Sequence, residues 1–191
     1  MFMGTRPNPV RLQRDKPVDT LIQRLRKNAV LALENTAPDH AEHAPDLTLT
    51  ETEIELVRAT FDLIVPIAPV IADLFYDRLF YLAPSVRRMF PPDMRGEKRS
   101  LIVMIATTVQ NLDNPEALVP LAKALGARHA RYGVTAGHYD VVGEVLVWTL
   151  ERGLASDFTA EVERAWRRAY GLLAAAMRAG ADEVAMMQAA E

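Results

Sequence analysis

From Leu47 onward, apolar residues recur at helical spacing, and proline-marked corners interrupt the pattern. Thr50 and Glu53 are typical of a capping box, in which a hydroxyl and a carboxylate satisfy free backbone amides of a first helical turn. We predict helices from there to about residue 64, then to 82, and over 95–111, 115–131, 135–152 and 157–187, with a short turn over 84–92. Because no segment alternates convincingly with period two, the pattern predicts an all-α domain of about seven helices.

Composition excludes several classes of protein. The 191 residues include no cysteine, which excludes disulfides, zinc fingers and cysteine-bound iron–sulfur clusters. The formal net charge of −3 lacks the basic excess that nucleic-acid binding requires, so we expect no nucleic-acid partner. No apolar run approaches the roughly 18 to 20 residues that cross a bilayer, and the first ten residues lack the apolar segment of a secretory signal. We therefore expect a cytoplasmic protein.

The composition changes near residue 46, which divides the chain into an extension (1–46) and a domain (47–191). Residues 1–36 carry seven Lys/Arg against three acids, and the acidic, proline-containing segment 37–46 is typical of a linker. We expect the extension to be partly disordered, with a short amphipathic helix over 18–33. Its basic face suits anionic lipid or a partner, or the helix is solvated and lies on its own domain. His40 and His43 have a spacing seen in metal sites, but their place in the linker favours solvated side chains.

His129 is the first candidate for chemistry. Leu121, Leu125 and His129 share one face of the predicted helix 115–131, so an apolar stripe ends in an imidazole. Such a histidine is either a satisfied core residue or the ligand of an iron held in a flat apolar cofactor. In the second case its other N–H is donated to a carbonyl or carboxylate. The stripe alone leaves both interpretations open.

Six sequence features are informative through their order and spacing. They are FYDRLF at 75–80, Phe90, NLDN at 111–114, His129, HYDVVGEVL at 138–146 and AWRRAYGLLA at 165–174. Together they resemble the globin family, and most closely the haem domain of flavohaemoglobins and the bacterial single-domain haemoglobins. The resemblance covers about residues 47–183. It implies a globin-like fold around a pocket for haem b.

The resemblance also implies roles for individual residues on the side where a gas would bind, the distal side. His129 corresponds to the proximal iron ligand, and Tyr76 to the distal residue whose phenol O–H donates to bound oxygen. The cofactor contacts correspond to Phe90, Glu97, Leu101, Leu125, His129, Val134 and Tyr139. Without the family, Tyr76, Phe90 and Leu101 would be interpreted as ordinary core residues.

The resemblance places Tyr139 and Glu183 around the proximal imidazole. A carboxylate that accepts the imidazole N–H makes the iron ligand more electron-donating, which helps to activate oxygen. With Tyr76, these are the candidate catalytic residues. Glu183 alone would otherwise be interpreted as a solvated glutamate near a helix end.

The sequence departs from the family pattern at Glu97, where flavohaemoglobins usually carry glutamine and many globins carry histidine. A carboxylate there would repel the negative charge on bound oxygen unless it is protonated or faces outward. Because the preceding loop is three residues shorter than in the flavohaemoglobins, the register could slip by one, and Lys98 would then occupy the position. A lysine could even coordinate the iron.

These features predict a haem-binding globin that reversibly binds O₂, NO and CO. A first alternative is a nitric oxide dioxygenase served by a separate flavin- or NAD(P)H-dependent reductase, because the sequence contains no G-x-G-x-x-G dinucleotide motif. A second is a gas or redox sensor that uses the basic extension. A third, a haem-free helical interaction module, disagrees with the presence of His129.

Overall fold

A computed structural model describes residues 48–190. It contains six α-helices: α1 (Glu51–Ile64), α2 (Ala68–Leu82), α3 (Arg95–Gln110), α4 (Pro115–Arg131), α5 (Ala136–Leu154) and α6 (Ala160–Ala189). Short 3₁₀ segments lie at Val65–Ile67, Pro84–Met89 and Ala155–Asp157. The described residues contain no strand. The all-α prediction is confirmed, and the Pro84–Met89 segment is the seventh, short element that the sequence predicted.

The predictions for the extension lie outside the described residues. They concern residues 1–46, the amphipathic helix over 18–33, and His40 and His43, and they stay predictions. Within residues 48–190, no helix is both long and apolar enough to cross a membrane.

The helix ends follow local chemistry. The Thr50 capping box forms as predicted, because the Thr50 N–H donates to Glu53 Oε2 at 2.9 Å and Thr50 Oγ1 accepts from the Glu53 N–H at 3.3 Å. Asn114 caps α4 by accepting from the Ala117 N–H at 3.2 Å. The last helix begins at Ala160 rather than near residue 157, because a 3₁₀ turn that starts at Ala155, with a left-handed φ of 49°, occupies Ala155–Asp157, and Thr159 then caps the helix.

Two separate apolar clusters form the core. The larger joins α1, α2, α5 and α6, and inside it Trp166 Nε1 donates to Thr60 Oγ1 at 2.9 Å. Half-buried side chains of α3, including Leu101, pack against this larger cluster. The smaller cluster joins α4, α5 and α6 around Ala122 and Met177. The helices α3 and α4 therefore belong to different clusters, and they form the two sides of the site described below.

The helices α4 and α6 cross with their backbones in contact. A Cβ atom added at Gly126 would overlap the carbonyl group of Met177, and one added at Gly180 would overlap that of Lys123. Only glycine fits at such an approach. Because Gly126 lies three residues before His129, this crossing fixes the position of the imidazole relative to α6.

Candidate functional site

His129 lies in the last turn of α4 and is half-buried. Its Nδ1 lies 2.9 Å from the Leu125 carbonyl oxygen, and with Nδ1–H as the donor the Nε2 lone pair is left free. Burial lowers the pKa of His129 below its ordinary value, the bond to Leu125 opposes this shift, and nearby Arg128 adds to it. The side chain is therefore held as a neutral imidazole, the form that binds a metal.

This donor set matches an iron porphyrin better than a metal ion bound by side chains alone. Residues 48–190 hold no group of three or more His, Cys, Asp or Glu side chains that could bind a metal ion. A metal at His129 must therefore bring its remaining ligands with it, as the four nitrogens of a porphyrin do. The single free imidazole nitrogen beside apolar side chains fits that cofactor.

Tyr76 lies on α2, on the distal side, and is only 6% exposed. Its hydroxyl donates to the Glu97 backbone carbonyl at 3.2 Å. Its ring meets those of Phe75, Phe80 and Phe90 at centroid distances of 5.3, 5.8 and 5.6 Å. Burial raises the pKa of Tyr76 well above its ordinary value, and the negative charge of Glu97 adds to the shift. The phenol thus stays protonated and is available as a hydrogen-bond donor.

Phe90 follows the 3₁₀ turn and packs beside Tyr76. Its ring also lies 5.4 Å from that of Phe80, so these three rings form one aromatic group. The backbone here is fixed by Arg87, whose Nη1 donates to the carbonyls of Phe90 and Pro91 at 3.0 and 3.1 Å. The structure thus brings Phe90 and Tyr76 together, and their roles toward a cofactor stay predictions.

The structure distinguishes Glu97 from its competitor Lys98. Lys98 Nζ forms an ion pair with Asp73 Oδ1 of α2 at 2.6 Å. Glu97 is half-buried, and both its carbonyl and its charge act on Tyr76. Of these two residues, Glu97 is therefore the one associated with the distal tyrosine.

Tyr139, near the start of α5, is 6% exposed and belongs to the smaller cluster together with Leu125 and Val134. Its carbonyl accepts a hydrogen bond from the Tyr170 hydroxyl at 2.5 Å. Its own hydroxyl is buried and has no hydrogen-bond partner in the structure. These contacts bring three of the predicted cofactor residues together beside His129.

The structure does not bring Glu183 to the imidazole. Its carboxylate is paired with Lys123 Nζ at 2.6 Å, on the exposed surface between α6 and α4. Lys123 lies six residues before His129, about 9 Å along the helix axis at 1.5 Å per residue. The predicted acceptor for the imidazole N–H is replaced by the Leu125 carbonyl. Leu121 also departs from the predicted stripe, because it is 53% exposed.

Two features of the proximal side were not predicted. Arg178 of α6 lies over the Tyr139 ring, and Gly126 and Gly180 allow α4 and α6 to touch. The glycines carried a signal, because glycine inside a helix is costly and usually has a packing reason. The sequence gives no such signal for Arg178, because the residues that it contacts are known only from the fold.

Comparisons with known proteins identify the family of this chain. A profile of the globin family matches residues 73–177. The flavohemoprotein of Vibrio cholerae is 32% identical over 130 residues, which cover 66% of this chain and 33% of that protein. Neuroglobin-1 of Oncorhynchus mykiss is 28% identical over 146 residues, which cover 69% of this chain and 92% of that protein. The chain thus spans about a third of the length of the flavohemoproteins that it matches.

The fold also has counterparts among solved structures. An engineered carbene transferase, described as a proposed nitric oxide dioxygenase of Rhodothermus marinus, superimposes with a TM-score of 0.64 at 29% identity. The match covers 75% of this chain and 98% of that chain. The family profile spans more than half of the chain and includes Tyr76, Phe90, His129 and Tyr139. The chain belongs to the globin family.

Proposed function

We propose that this globin binds haem b through His129 and reversibly binds O₂, NO and CO. The observation that carries the proposal is the half-buried His129 imidazole, whose Nδ1 lies 2.9 Å from the Leu125 carbonyl oxygen, so that Nε2 is left to bind a metal. His129 would hold a haem there through Nε2, and the haem would supply an iron that binds diatomic gases. Haem b is the expected form because the chain has no cysteine for a thioether attachment.

The distal residues provide a donor and an apolar wall. Tyr76 holds a proton on a buried hydroxyl, and its present acceptor is one backbone carbonyl at 3.2 Å. If that O–H turns toward a polar gas ligand, its hydrogen bond to the carbonyl is replaced by one to the ligand. A hydrogen bond from Tyr76 favours the binding of oxygen over that of the less polar carbon monoxide. Phe90 and Leu101 would limit the entry of water and hold the cofactor in place.

A nitric oxide dioxygenase is the second candidate. It is supported by the likeness to flavohemoproteins and to the proposed nitric oxide dioxygenase of Rhodothermus marinus. In that reaction oxygen and nitric oxide give nitrate, and a separate flavin- or NAD(P)H-dependent reductase restores the ferrous state. A multi-turnover assay with and without a generic reductase tests it. Nitrate formation no faster than autoxidation would rule this candidate out.

The deciding experiment is haem titration of the full chain, followed by absorption spectra of the ferric, dithionite-reduced and CO forms. We expect one haem per chain and an imidazole-ligated CO spectrum, both lost or altered in H129A. His138→Ala is the matched control, because the His138 imidazole instead accepts from the Thr135 N–H at the start of α5. Failure of the wild type to bind stoichiometric haem would overturn the proposal. Low-spin, six-coordinate bands without added ligand would instead direct attention to Glu97 and Lys98.

A further inference from the structure

Arg178 is the charged residue in direct contact with Tyr139. Its guanidinium carbon lies 5.4 Å from the centroid of the Tyr139 ring, a cation–π distance. The same guanidinium donates through Nη2 to Asp140 Oδ1 at 2.5 Å and to the Ala136 carbonyl at 3.3 Å. Arg178 therefore ties α6 to the first turns of α5 on both sides of Tyr139.

Two buried polar atoms at this contact have no partner in the structure. They are the Tyr139 hydroxyl and Arg178 Nε. Native proteins rarely leave such atoms unpaired, and an unpaired one often belongs to a functional site. Here both belong to residues that touch each other, beside the cluster that includes Leu125, the hydrogen-bond partner of His129.

The charge in direct contact with the Tyr139 ring is opposite in sign to the charge that the resemblance implied, while the carboxylate of Asp140 pairs with Arg178 and the charge of Asp182 also acts on Tyr139. Glu183 was expected to supply a carboxylate near Tyr139 and the imidazole, but it is paired with Lys123. The group in contact with Tyr139 is a guanidinium, and the imidazole N–H meets only the neutral Leu125 carbonyl. An anion would increase the electron donation of the imidazole to iron, whereas a neutral carbonyl and a nearby cation do not.

We propose that Arg178 is a positioning residue that holds Tyr139 on the His129 side of the haem and places a cation where a carboxylate was expected. This inference rests on the proposed function. A cation there stabilises the ferrous form, which carries one positive charge fewer than the ferric form. The proximal side is thereby suited to reversible gas binding rather than to oxygen activation.

The test compares haem-loaded full-length variants by their ferric/ferrous midpoint potential and by the rate of haem loss to a scavenger protein. R178M should lower the potential and accelerate haem loss about tenfold, as is typical of outer-shell partners. D140N should raise the potential, because it removes the counter-ion and leaves the guanidinium. A merely structural role would not shift the two variants in opposite directions.

Arg167 offers a matched control, since it also joins α6 to α5, through Glu144 at 2.8 Å, and is equally exposed. R167M should leave the potential unchanged. In a Y139F background the haem-loss effect of R178M should shrink. The inference is overturned if the midpoint potential of R178M equals that of the wild type, or if D140N lowers the potential. If R178M does not fold, the potential of D140N alone decides. A wild type that binds no haem overturns the proposed function as well, so the two failures are distinguishable.

Discussion

The two sides of the site differ in the residues that form them. The distal side, formed by α2, α3 and the turn before Phe90, contains a group of large rings, and the buried Tyr76 hydroxyl in that group has a partner in the Glu97 carbonyl. The proximal side, formed by α4, α5 and α6, has glycines where α4 and α6 touch, and it contains two unpartnered polar atoms, the Tyr139 hydroxyl and Arg178 Nε. The distal side can thus exchange one hydrogen bond for another, while the proximal side fixes a position.

This difference fits the task that we propose for each side. Ring contacts are worth about 0.5–1.5 kcal/mol per pair beyond their buried area, and they tolerate small rotations. Backbone-to-backbone contact tolerates none, because even one methyl group has no space. A gas ligand needs a donor that can turn, and an iron ligand needs a fixed distance. Each side can therefore be perturbed without the other.

The largest effect is expected from Gly126→Ala. The added Cβ would overlap the Met177 carbonyl group, so α4 and α6 must separate, and we expect a loss of at least about 3 kcal/mol in the free energy of unfolding. Haem affinity should fall with it, because His129 lies on the displaced helix. Urea unfolding of the haem-free protein and haem titration measure the two effects.

Gly171→Ala is the matched control for that variant. Gly171 lies inside α6, and a Cβ there would meet nothing within 4 Å. Alanine should therefore stabilise the helix by about 0.5–1 kcal/mol. A Gly126→Ala protein as stable as the wild type would mean that the crossing does not hold α4 in place.

The sequence predicted the distal side better than the proximal side. Tyr76, Phe80 and Phe90 are large, apolar and close in sequence, so helical spacing and one turn suffice to bring them together. The stripe singled out His129 as a candidate, and only the family resemblance implied that it is an iron ligand. The approximate helix bounds could be predicted for the same reason, since capping residues and prolines act on their neighbours.

The proximal electrostatics could not be predicted, because they depend on the register between helices that are distant in sequence. Glu183 and Arg178 lie five residues apart on α6, and periodicity does not say which of them reaches Tyr139. In the structure Lys123 forms an ion pair with Glu183, and Asp140 forms one with Arg178. The ion-pair partners of long side chains are determined by how the helices pack against each other.

A second prediction concerns Tyr76→Phe in the haem-loaded protein. Loss of the distal donor should accelerate oxygen release by about tenfold, which corresponds to about 1.4 kcal/mol, the scale of one hydrogen bond. Release of carbon monoxide should change little, because that ligand is a poor acceptor. Flash photolysis and stopped-flow displacement measure the two rates. Equal acceleration for both gases would show that Tyr76 acts by filling space rather than by donating. Tyr81→Phe, one turn later on α2 and 63% exposed, is the control.

A third prediction compares the tyrosines of the two sides in alkali. Burial raises the pKa of Tyr76, so above about pH 10 the unfolded chain releases a proton that the folded chain keeps. The free energy of unfolding should therefore fall as the pH rises from 10, by about 1.4 kcal/mol per pH unit for each such group. Y76F should flatten this fall. Burial also raises the pKa of Tyr139, Arg178 opposes the shift and Asp182 adds to it, so Y139F should flatten the fall less than Y76F does. Haem-free protein unfolded in urea at several pH values gives the curves, and equal flattening would contradict the contact with Arg178.

The smallest effect is expected from Glu183→Gln. The carboxylate and Lys123 Nζ form an exposed ion pair, with 55% and 38% of the side chains accessible, and such pairs contribute at most about 0.5–1 kcal/mol. The variant should therefore lose little stability, and raising the salt concentration should reduce even that difference. The haem-loaded variant should keep the wild-type midpoint potential, since the imidazole N–H is bound by Leu125. If this variant alone had a clearly raised midpoint potential, electron donation to the iron would have fallen. That result would support the proximal role of Glu183 that the family resemblance implied. A variant indistinguishable from the wild type would leave Arg178 as the charge that governs this side.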